Sequence, residues 1–378
     1  MTSQKQDRLS GHAVVAGGSL AGLLTARVLA DHFAEVTVIE RDVLPSLGAY
    51  RRGVPQDQHT HCLIASGREA VETLVPGFTA AVVADGGTLA DMQGECRWYV
   101  DGHRMRQAPI GLHILLAGRP LLEGHVRERV RAIGNVRLHD GEEVIGLIPT
   151  ESGDDRALII TLTTENRRGG AMIAQEDDTW IISLFGYLDE QAPQDLEGFI
   201  EFAGTLDAKD IYHVIRNAEP VGDGLVIRFP ASRRHRYERL GGFPEGYLVL
   251  GDALCSFNPI YGQGMSTAAL QARLLEECLR DQGTAPRAPA TAFFARVRPV
   301  LDAAWDIAVG GDLKYPEVEG VRGPESAQAQ AYLSQVHLAA SRDAEVGRRF
   351  VRVVNLTDGP ESLQDPAFVD RVLHAAAS

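Results

Sequence analysis

Apolar positions along the chain fall into short runs separated by glycine, proline and charge, and the period of the runs changes. Residues 13–16 (AVVA) are an apolar run of strand length. Glycines follow, and then Leu20, Leu23, Leu24 and Val28 recur at helical spacing. Residues 36–39 (VTVI) are a second strand that closes on Glu40. Strand, glycine turn, helix and strand within about thirty residues have the size of a βαβ unit. A loop rich in Gly, Pro, Arg and His covers 40–61, and 68–74 are predicted to be helical. Residues 88–116 shift to β-like alternation, with RWYV at 97–100 and a turn at Asp101-Gly102. A charged helix is predicted over 120–133. Strands are predicted over 136–138, 144–147, 158–164, 179–185, 225–229 and 247–250, and a helix over 265–279. A Pro/Ala linker at 284–290 leads into a mainly helical remainder, and no internal repeat is visible.

This order predicts an α/β fold of discontinuous design. The first and last α/β pieces (1–87, 115–150 and 245–283) form one domain, a β-rich domain (88–114 and 156–244) is inserted, and a helical region (290–378) follows. With 378 residues, 44% hydrophobic, the chain can bury more than one core. The net charge of −14 and the lack of a basic stripe argue against a nucleic-acid partner. Residues 13–30 are apolar enough to suggest a signal segment. Three glycines and Arg27 interrupt them, so neither a leader nor stable membrane insertion is expected. Cys62, Cys96, Cys255 and Cys278 lie far apart with no CxxC or zinc spacing. They read as free thiols of a reducing, cytoplasmic compartment.

Two glycine clusters carry the chemistry. The first, GGSLAG, follows a strand and opens a helix. Gly17 permits a tight turn, the small Ser19 lets backbone approach a pyrophosphate, and Gly22 lets helix and strand pack closely. The helix N-terminus offers amides and partial positive charge to phosphates. Glu40, at the end of the next strand, is placed to accept from ribose hydroxyls. The bland reading is an ordinary βα turn. The second cluster is GDALCSFNPIYGQGM, residues 251–265, in which Asp252 is the one charge before Arg273. These features fit a flavin. Asp252 can accept from ribityl hydroxyls, and Pro259 offers an apolar wall without a competing amide. Gly262 and Gly264 can bring helix N-terminal amides to the ring edge that gains negative charge on reduction.

The second cluster resembles the Gly-Asp flavin motif of the group A FAD-dependent monooxygenases, with their p-hydroxybenzoate hydroxylase-like fold. NPIYGQGM is closer still to a subgroup that includes polyether-pathway epoxidases. VVAGGSLAG with VTVIERD, RRGVPQDQHTHCLIASG, AGRPLLEGHVRERV and PVLDAAWDIAVGGDLKYP are similar to the same subgroup. The resemblance implies a Rossmann-like FAD-binding domain with an inserted β-rich substrate domain. Its cofactor-binding positions here are Gly17, Ser19, Gly22, Glu40, Arg41, Arg52, Arg119, Val144, Asp252, Pro259, Gly262, Gln263, Gly264 and Met265. It also implies reduction by NAD(P)H, capture of O2 as a flavin C4a-hydroperoxide, and hydroxylation or epoxidation of an apolar small molecule. The flavin carries this chemistry, so no catalytic side chain is expected. The alternatives are a flavin-dependent reductase of the geranylgeranyl type, and a shortened, idle relative that binds a hydrophobic ligand or a partner. A flavin halogenase is disfavoured, since its WxWxIP motif is absent.

One departure stands out. The family carries a further strand ending in Asp-Gly, followed by a nearby Arg, and residues 148–156 leave no room for it. His139-Asp140-Gly141 precedes the position where that motif belongs and reads as a turn. His59 and His61 alternate as a metal-binding pair would, but no third ligand is identifiable by spacing. Arg51 and Arg52 are candidates for the pyrophosphate. Arg119, a cation at a helix start, favours a ligand role over a surface one. Some of Trp98, Tyr99, His113, Trp180, Phe185, Tyr187 and Phe257 are expected to line substrate space. Trp305 and Tyr315 are expected to anchor C-terminal helices.

Overall fold

The computed structural model describes residues 9–40, 42, 44, 47–48, 61–139, 157–174, 180–218, 220, 226, 228–244, 247–282, 290–323 and 326–377. Strand β1 (Leu9–Ala16), helix α1 (Leu20–Leu29) and strand β2 (Phe33–Ile39) form the expected βαβ unit, and β1 and β2 are parallel. Leu20, Leu23, Leu24 and Val28 are all buried, which is why the helical spacing was legible. Next come β3 (Cys62–Leu63), α2 (Ala65–Leu74), α3 (Phe78–Ala84), β4 (Thr88–Asp91), β5 (Cys96–Val100), β6 (His103–Arg104) and β7 (His113–Leu116). Helix α4 (Arg119–Arg131) leads to β8 (Val136–His139), which joins β2 in a parallel sheet of order β1-β2-β8.

The β-rich part adds β9 (Ala157–Ile160), β10 (Arg168–Ala174) and β11 (Trp180–Gly186), in a five-stranded sheet of order β11-β10-β9-β5-β6. Helices α5 (Leu196–Ala203) and α6 (Asp210–Ile215) cover it through Phe202, Leu206, Ile211 and Ile215. The short pair β12 (Arg233–Arg234) and β13 (Cys255–Ser256) precedes the long helix α7 (Gly264–Gln282). Then α8 (Ala290–Asp312), α9 (Ser326–Arg342), α10 (Ala344–Val354) and α11 (Pro366–Ala377) complete the helical C-terminal region. The largest core joins α1, the parallel sheet, α2, α4, α7 and α8. A second lies between β4–β7 and α9–α11.

Several expected elements differ. The run 247–250 is not a strand. Val249 is buried and Leu250 packs against the main core, but no neighbouring strand completes a ladder with it among the described residues. Of the expected strand 225–229, the described residues Val226, Arg228 and Phe229 are irregular, and the strand expected at 144–147 lies outside the described residues. Strand β10 was not expected, and Gly169 and Gly170 stand within it. They are needed for packing. A Cβ at Gly169 would come within 2.5 Å of Phe185 Cε2 and 2.7 Å of the Ile160 carbonyl oxygen.

The parallel sheet packs one face, through Val15, Val36, Val38 and Val136, on helices. The other face shows Val14, 58% exposed, and Ile39, 53% exposed. Parallel sheets ordinarily have both faces covered, so this face is anomalous.

Asp101 and Gly102 form the predicted turn, with φ of 47° and 73°, the left-handed pair that joins a tight hairpin. The Asp101 carboxylate pairs with His337 on α9 and accepts from Lys314 Nζ at 3.3 Å. Burial alone would raise its pKa, but these two partners outweigh burial and hold it down to about 2. A depressed carboxyl pKa contributes stability above its unfolded value, and that contribution is lost as pH falls through the folded one. Asp101→Asn tolerates the same backbone and tests the charge. It is expected to unfold more easily at neutral pH, by up to about 2 kcal/mol. The difference should close between the ordinary carboxylate pKa and about 2, as measured by denaturant titration across that range.

Candidate cofactor site

The glycine turn after β1 is built from close backbone contacts. Gly17 adopts φ +105°, and its amide donates to the Ile39 carbonyl at 2.8 Å. A Cβ at Gly22 would lie 1.8 Å from the Gly17 carbonyl oxygen, so only glycine lets α1 start against the end of β1. Glu40 closes the turn from β2. Its Oε2 accepts from the Gly18 amide at 2.6 Å and its Oε1 from the Asp42 amide at 3.1 Å. Ser19 precedes the first residue of α1 in extended backbone.

A buried acid that the sequence reading missed sits at the same place. Glu123 on α4, 2% exposed, accepts from the Leu20 amide at 3.3 Å and from Arg119 Nε at 2.7 Å. Its sequence signal was the i,i+4 spacing to Arg119 within a helix. Arg119 is thereby fixed beside the N-terminus of α1, where helix dipole arguments alone would not put a cation. It also faces Asp252, whose carboxyl it draws downward.

The Gly-Asp turn arrives from the other side. Gly251 adopts φ +63° and donates its amide to Gln271 Oε1 on α7 at 2.8 Å. A Cβ on Gly251 would lie 2.9 Å from Ala21 Cβ, so the turn rests directly on the first turn of α1. Asp252 follows in a single 3-10 turn. Its surface is open to water-sized contact, yet protein surrounds it on most sides. Both are true of a group in a recess, and the crowding governs its charge. Burial pushes the Asp252 carboxyl up, against the pull of Arg119. Gln271 was also missed; its signal is a polar residue inside the apolar stretch AALQARLL.

Beyond Asp252, residues 259–261 make another 3-10 turn, capped by Asn258 Oδ1 accepting from the Ile260 amide. Pro259 is exposed, Gly262 adopts φ +66°, and Gly264 opens α7. A Cβ on Gly264 would meet nothing within 4 Å among the described residues. Neither α1 nor α7 has an acidic residue in its first turn. Met265 is half-buried against the main core. The Gln263 side chain turns inward, 1% exposed, and its Nε2 donates to the Val354 carbonyl at 3.3 Å. Only its backbone faces the start of α7. Gln263 Oε1 and Gln271 Nε2 are buried without a hydrogen-bond partner among the described residues.

Gly17, Ser19, Gly22 and Glu40 surround the start of α1, and Arg119 and the Gly251-Asp252 turn meet them there; Pro259, Gly262, Gln263, Gly264 and Met265 lie on the turn that opens α7. Arg41, Arg52 and Val144 lie outside the described residues, as do Arg51, His59 and Asp140-Gly141. No group of three metal-ligating side chains occurs among the described residues. Cys62 and Cys255 flank the site, but burial raises their thiols to about 11 and about 12; neither is a nucleophile at neutral pH. Of the candidate pocket aromatics, Trp98 and Phe257 are core, and Trp98 packs on Phe350 with ring centroids 5.6 Å apart.

These residues could hold an extended dinucleotide: a glycine turn in which Gly22 admits no Cβ, helices α1 and α7 with no acidic residue in their own first turns although Glu123 takes the Leu20 amide, and a recessed carboxyl at Asp252.

No family profile matches the sequence. "Protein Rv3254" of Mycobacterium tuberculosis (strain ATCC 25618 / H37Rv) is 28% identical, with 92% of this chain and 90% of that protein aligned. That alignment runs over 428 positions, more than the 378 residues of the whole chain, so stretches of the relative have no counterpart here. Among solved structures, PqsL, a probable FAD-dependent monooxygenase from Pseudomonas aeruginosa, superposes with a TM-score of 0.58 at 15% identity, covering 81% of this chain and 97% of that one. p-Nitrophenol 4-monooxygenase PnpA from Pseudomonas putida DLL-E4 gives 0.58 at 15% identity, covering 93% and 99%. The Diels-Alderase PyrE3 of pyrroindomycin biosynthesis gives 0.58 at 18% identity, covering 92% and 81%. The fold is the one these FAD-dependent monooxygenases share, the p-hydroxybenzoate hydroxylase-like fold: an α/β part with a β-rich insertion and C-terminal helices.

Proposed function

We propose that this chain is a FAD-dependent monooxygenase that inserts one atom of O2 into an apolar small molecule, by hydroxylation or epoxidation, with NAD(P)H as reductant. The observation that carries the reading is the seating of the Gly-Asp turn on the first turn of α1, with Gly251 against Ala21. This contact brings the two glycine clusters together. Gly17, Ser19, Gly22 and Glu40 would hold the adenylate side, with Arg41 and Arg52 as further candidates on the neighbouring loop. Arg119 would neutralise phosphate charge, and Asp252 would accept from the ribityl hydroxyls. Pro259 and the backbone of 262–265 would flank the ring, and Val144 the adenine. Bound FAD would supply the redox chemistry, taking a hydride from NAD(P)H and passing electrons to O2. The chain itself binds, orients and excludes water, and the helix start at Gly264 stabilises negative charge on the ring edge. The cofactor domain comprises 1–87, 115–150 and 245–283, and the substrate meets it from the β-rich part at 88–114 and 156–244. No helix among the described residues is long and apolar enough to cross a membrane, and the cysteines are free. We assign the protein to the cytoplasm.

The visible spectrum of the purified protein tests this. Bands of oxidised flavin are expected, bleached by NAD(P)H and restored by air, with substrate-stimulated O2 consumption. Bleaching without O2 uptake, accompanied by alkene saturation, would move the assignment to a reductase. A second reading, a shortened relative without catalysis, draws on the exposed Val14 and Ile39 and on the longer alignment with the mycobacterial relative. A colourless protein that takes up no FAD on titration would establish it in place of the first.

A further inference from the structure

Asp312 ends α8, and the sequence reading gave it no role. Its Oδ1 gathers three donors: the Tyr187 hydroxyl, the Tyr261 hydroxyl at 3.0 Å and Asn258 Nδ2 at 3.2 Å. Asn258 Nδ2 also donates to the Tyr187 hydroxyl at 2.8 Å. The three donors come from different parts of the fold. Tyr187 immediately follows β11 of the five-stranded sheet, while Asn258 and Tyr261 belong to the 3-10 turn that leads into α7. Gly311 makes the meeting possible, since a Cβ there would fall 2.2 Å from the Tyr261 hydroxyl oxygen. Tyr187 is held in turn by stacking on Tyr315, with centroids 4.7 Å apart, and the Tyr315 hydroxyl donates to the Thr163 carbonyl at 3.1 Å. Burial pushes the Asp312 carboxyl up, and the hydrogen bonds from its three neutral donors oppose it.

We infer that Asp312 is a positioning residue: by gathering Tyr187, Asn258 and Tyr261 on one carboxylate oxygen, it fixes the 258–262 turn that presents Gly262 and Gly264 to the flavin ring, and ties that turn to the end of β11. The inference rests on the FAD reading above for its consequence, though not for its geometry. A half-buried carboxylate that gathers three donors on one oxygen couples them, so losing it loosens all three together. Its effect on the ring passes through backbone, because Asp312 reaches the start of α7 through Asn258 and Tyr261 and not directly.

The test compares Asp312→Leu, which removes every acceptor, with Asp312→Asn, which keeps one acceptor oxygen. Hydrogen exchange on the FAD-free protein should rise about tenfold or more in peptides spanning 256–264 and 185–188 in Asp312→Leu, with α10 and α11 unchanged. Asp312→Asn should recover most of the protection. On FAD-loaded protein, the visible circular dichroism of the flavin should change in Asp312→Leu and return in Asp312→Asn; a residue that only adds stability would lower the melting point and leave that signal alone. FAD should also bind about tenfold more weakly to Asp312→Leu. Unchanged exchange at 256–264 in folded Asp312→Leu would overturn the inference. So would an unchanged flavin signal. Should the parent protein take up no FAD, the functional reading fails, while the exchange arm still decides the geometry. Should Asp312→Leu not fold, Tyr261→Phe removes a single donor and is read by the same exchange: a rise at 256–264 supports the inference and its absence overturns it.

Discussion

Asp252→Ala is expected to come off the column nearly colourless while remaining folded. The side chain stands in a recess on a one-turn helix, so it contributes little packing. Burial already disfavours its charge, and Arg119 opposes that only in part. A carboxyl whose folded pKa is raised costs stability once pH climbs past that value, and costs nothing well below its unfolded value. Without FAD, the alanine variant should therefore melt no lower than the parent at neutral pH. Arg119 is not stranded by the change, because Glu123 Oε1 still accepts from it at 2.7 Å. The loss falls on the ligand. Hydrogen bonds to a charged acceptor contribute about 1.5–3 kcal/mol each, so FAD affinity should drop by about one to two orders of magnitude. Titration with FAD followed by flavin fluorescence measures this, and Asp252→Asn should fall between the two. Undiminished FAD occupancy in the alanine variant would remove Asp252 from the site.

What could be read from the sequence was whatever depends on local pattern. The helical stripe of α1, the glycine turn, the closing Glu40 and the turn into a helix at Gly262 and Gly264 are each encoded within a few residues, and each is where the pattern put it, whereas the strand expected at 247–250 is not formed. Helix α7 runs from Gly264 as its apolar spacing required. The less legible features depend on partners far away in the chain. Strand β10 went unread because the Phe185 ring that needs the missing side chain of Gly169 lies on another strand. Glu123 looked like one charge among several on a polar helix, and only the arrival of the Leu20 amide makes it a buried acceptor. Asp312 shows no local signal, since its donors lie between 51 and 125 residues away.

Residues 247–250 carry the composition of a buried strand, yet find no ladder among the described residues. Strand β1 pairs only with β2, leaving its outer edge without a strand among the described residues. Val14 and Ile39 point from the same sheet into solvent. Among the described residues, then, an apolar run without a ladder, an open strand edge and two exposed apolar side chains belong to the same part of the molecule.

The severest single substitution should be Gly22→Ala. The added Cβ would lie 1.8 Å from the Gly17 carbonyl oxygen and 3.0 Å from its carbonyl carbon, and both belong to backbone. Neither side of the clash can yield cheaply. Gly17 is tied through its amide to Ile39 and Gly18 to Glu40, while α1 is anchored by the fully buried Leu23 and Leu24. Relief requires α1 to lift from β1, which separates Ala21 from Gly251 and parts the two glycine clusters. Overpacking of this kind costs about 1–3 kcal/mol or more. The variant should lose several degrees of thermal stability and all retained flavin. Gly264→Ala is the control, because a methyl group there meets nothing within 4 Å among the described residues. If that open space belongs to the flavin, Gly264→Ala should melt with the parent and still bind FAD poorly. Equal FAD binding by Gly264→Ala and the parent would mean that the start of α7 does not face the ring, however well the first glycine cluster holds the adenylate.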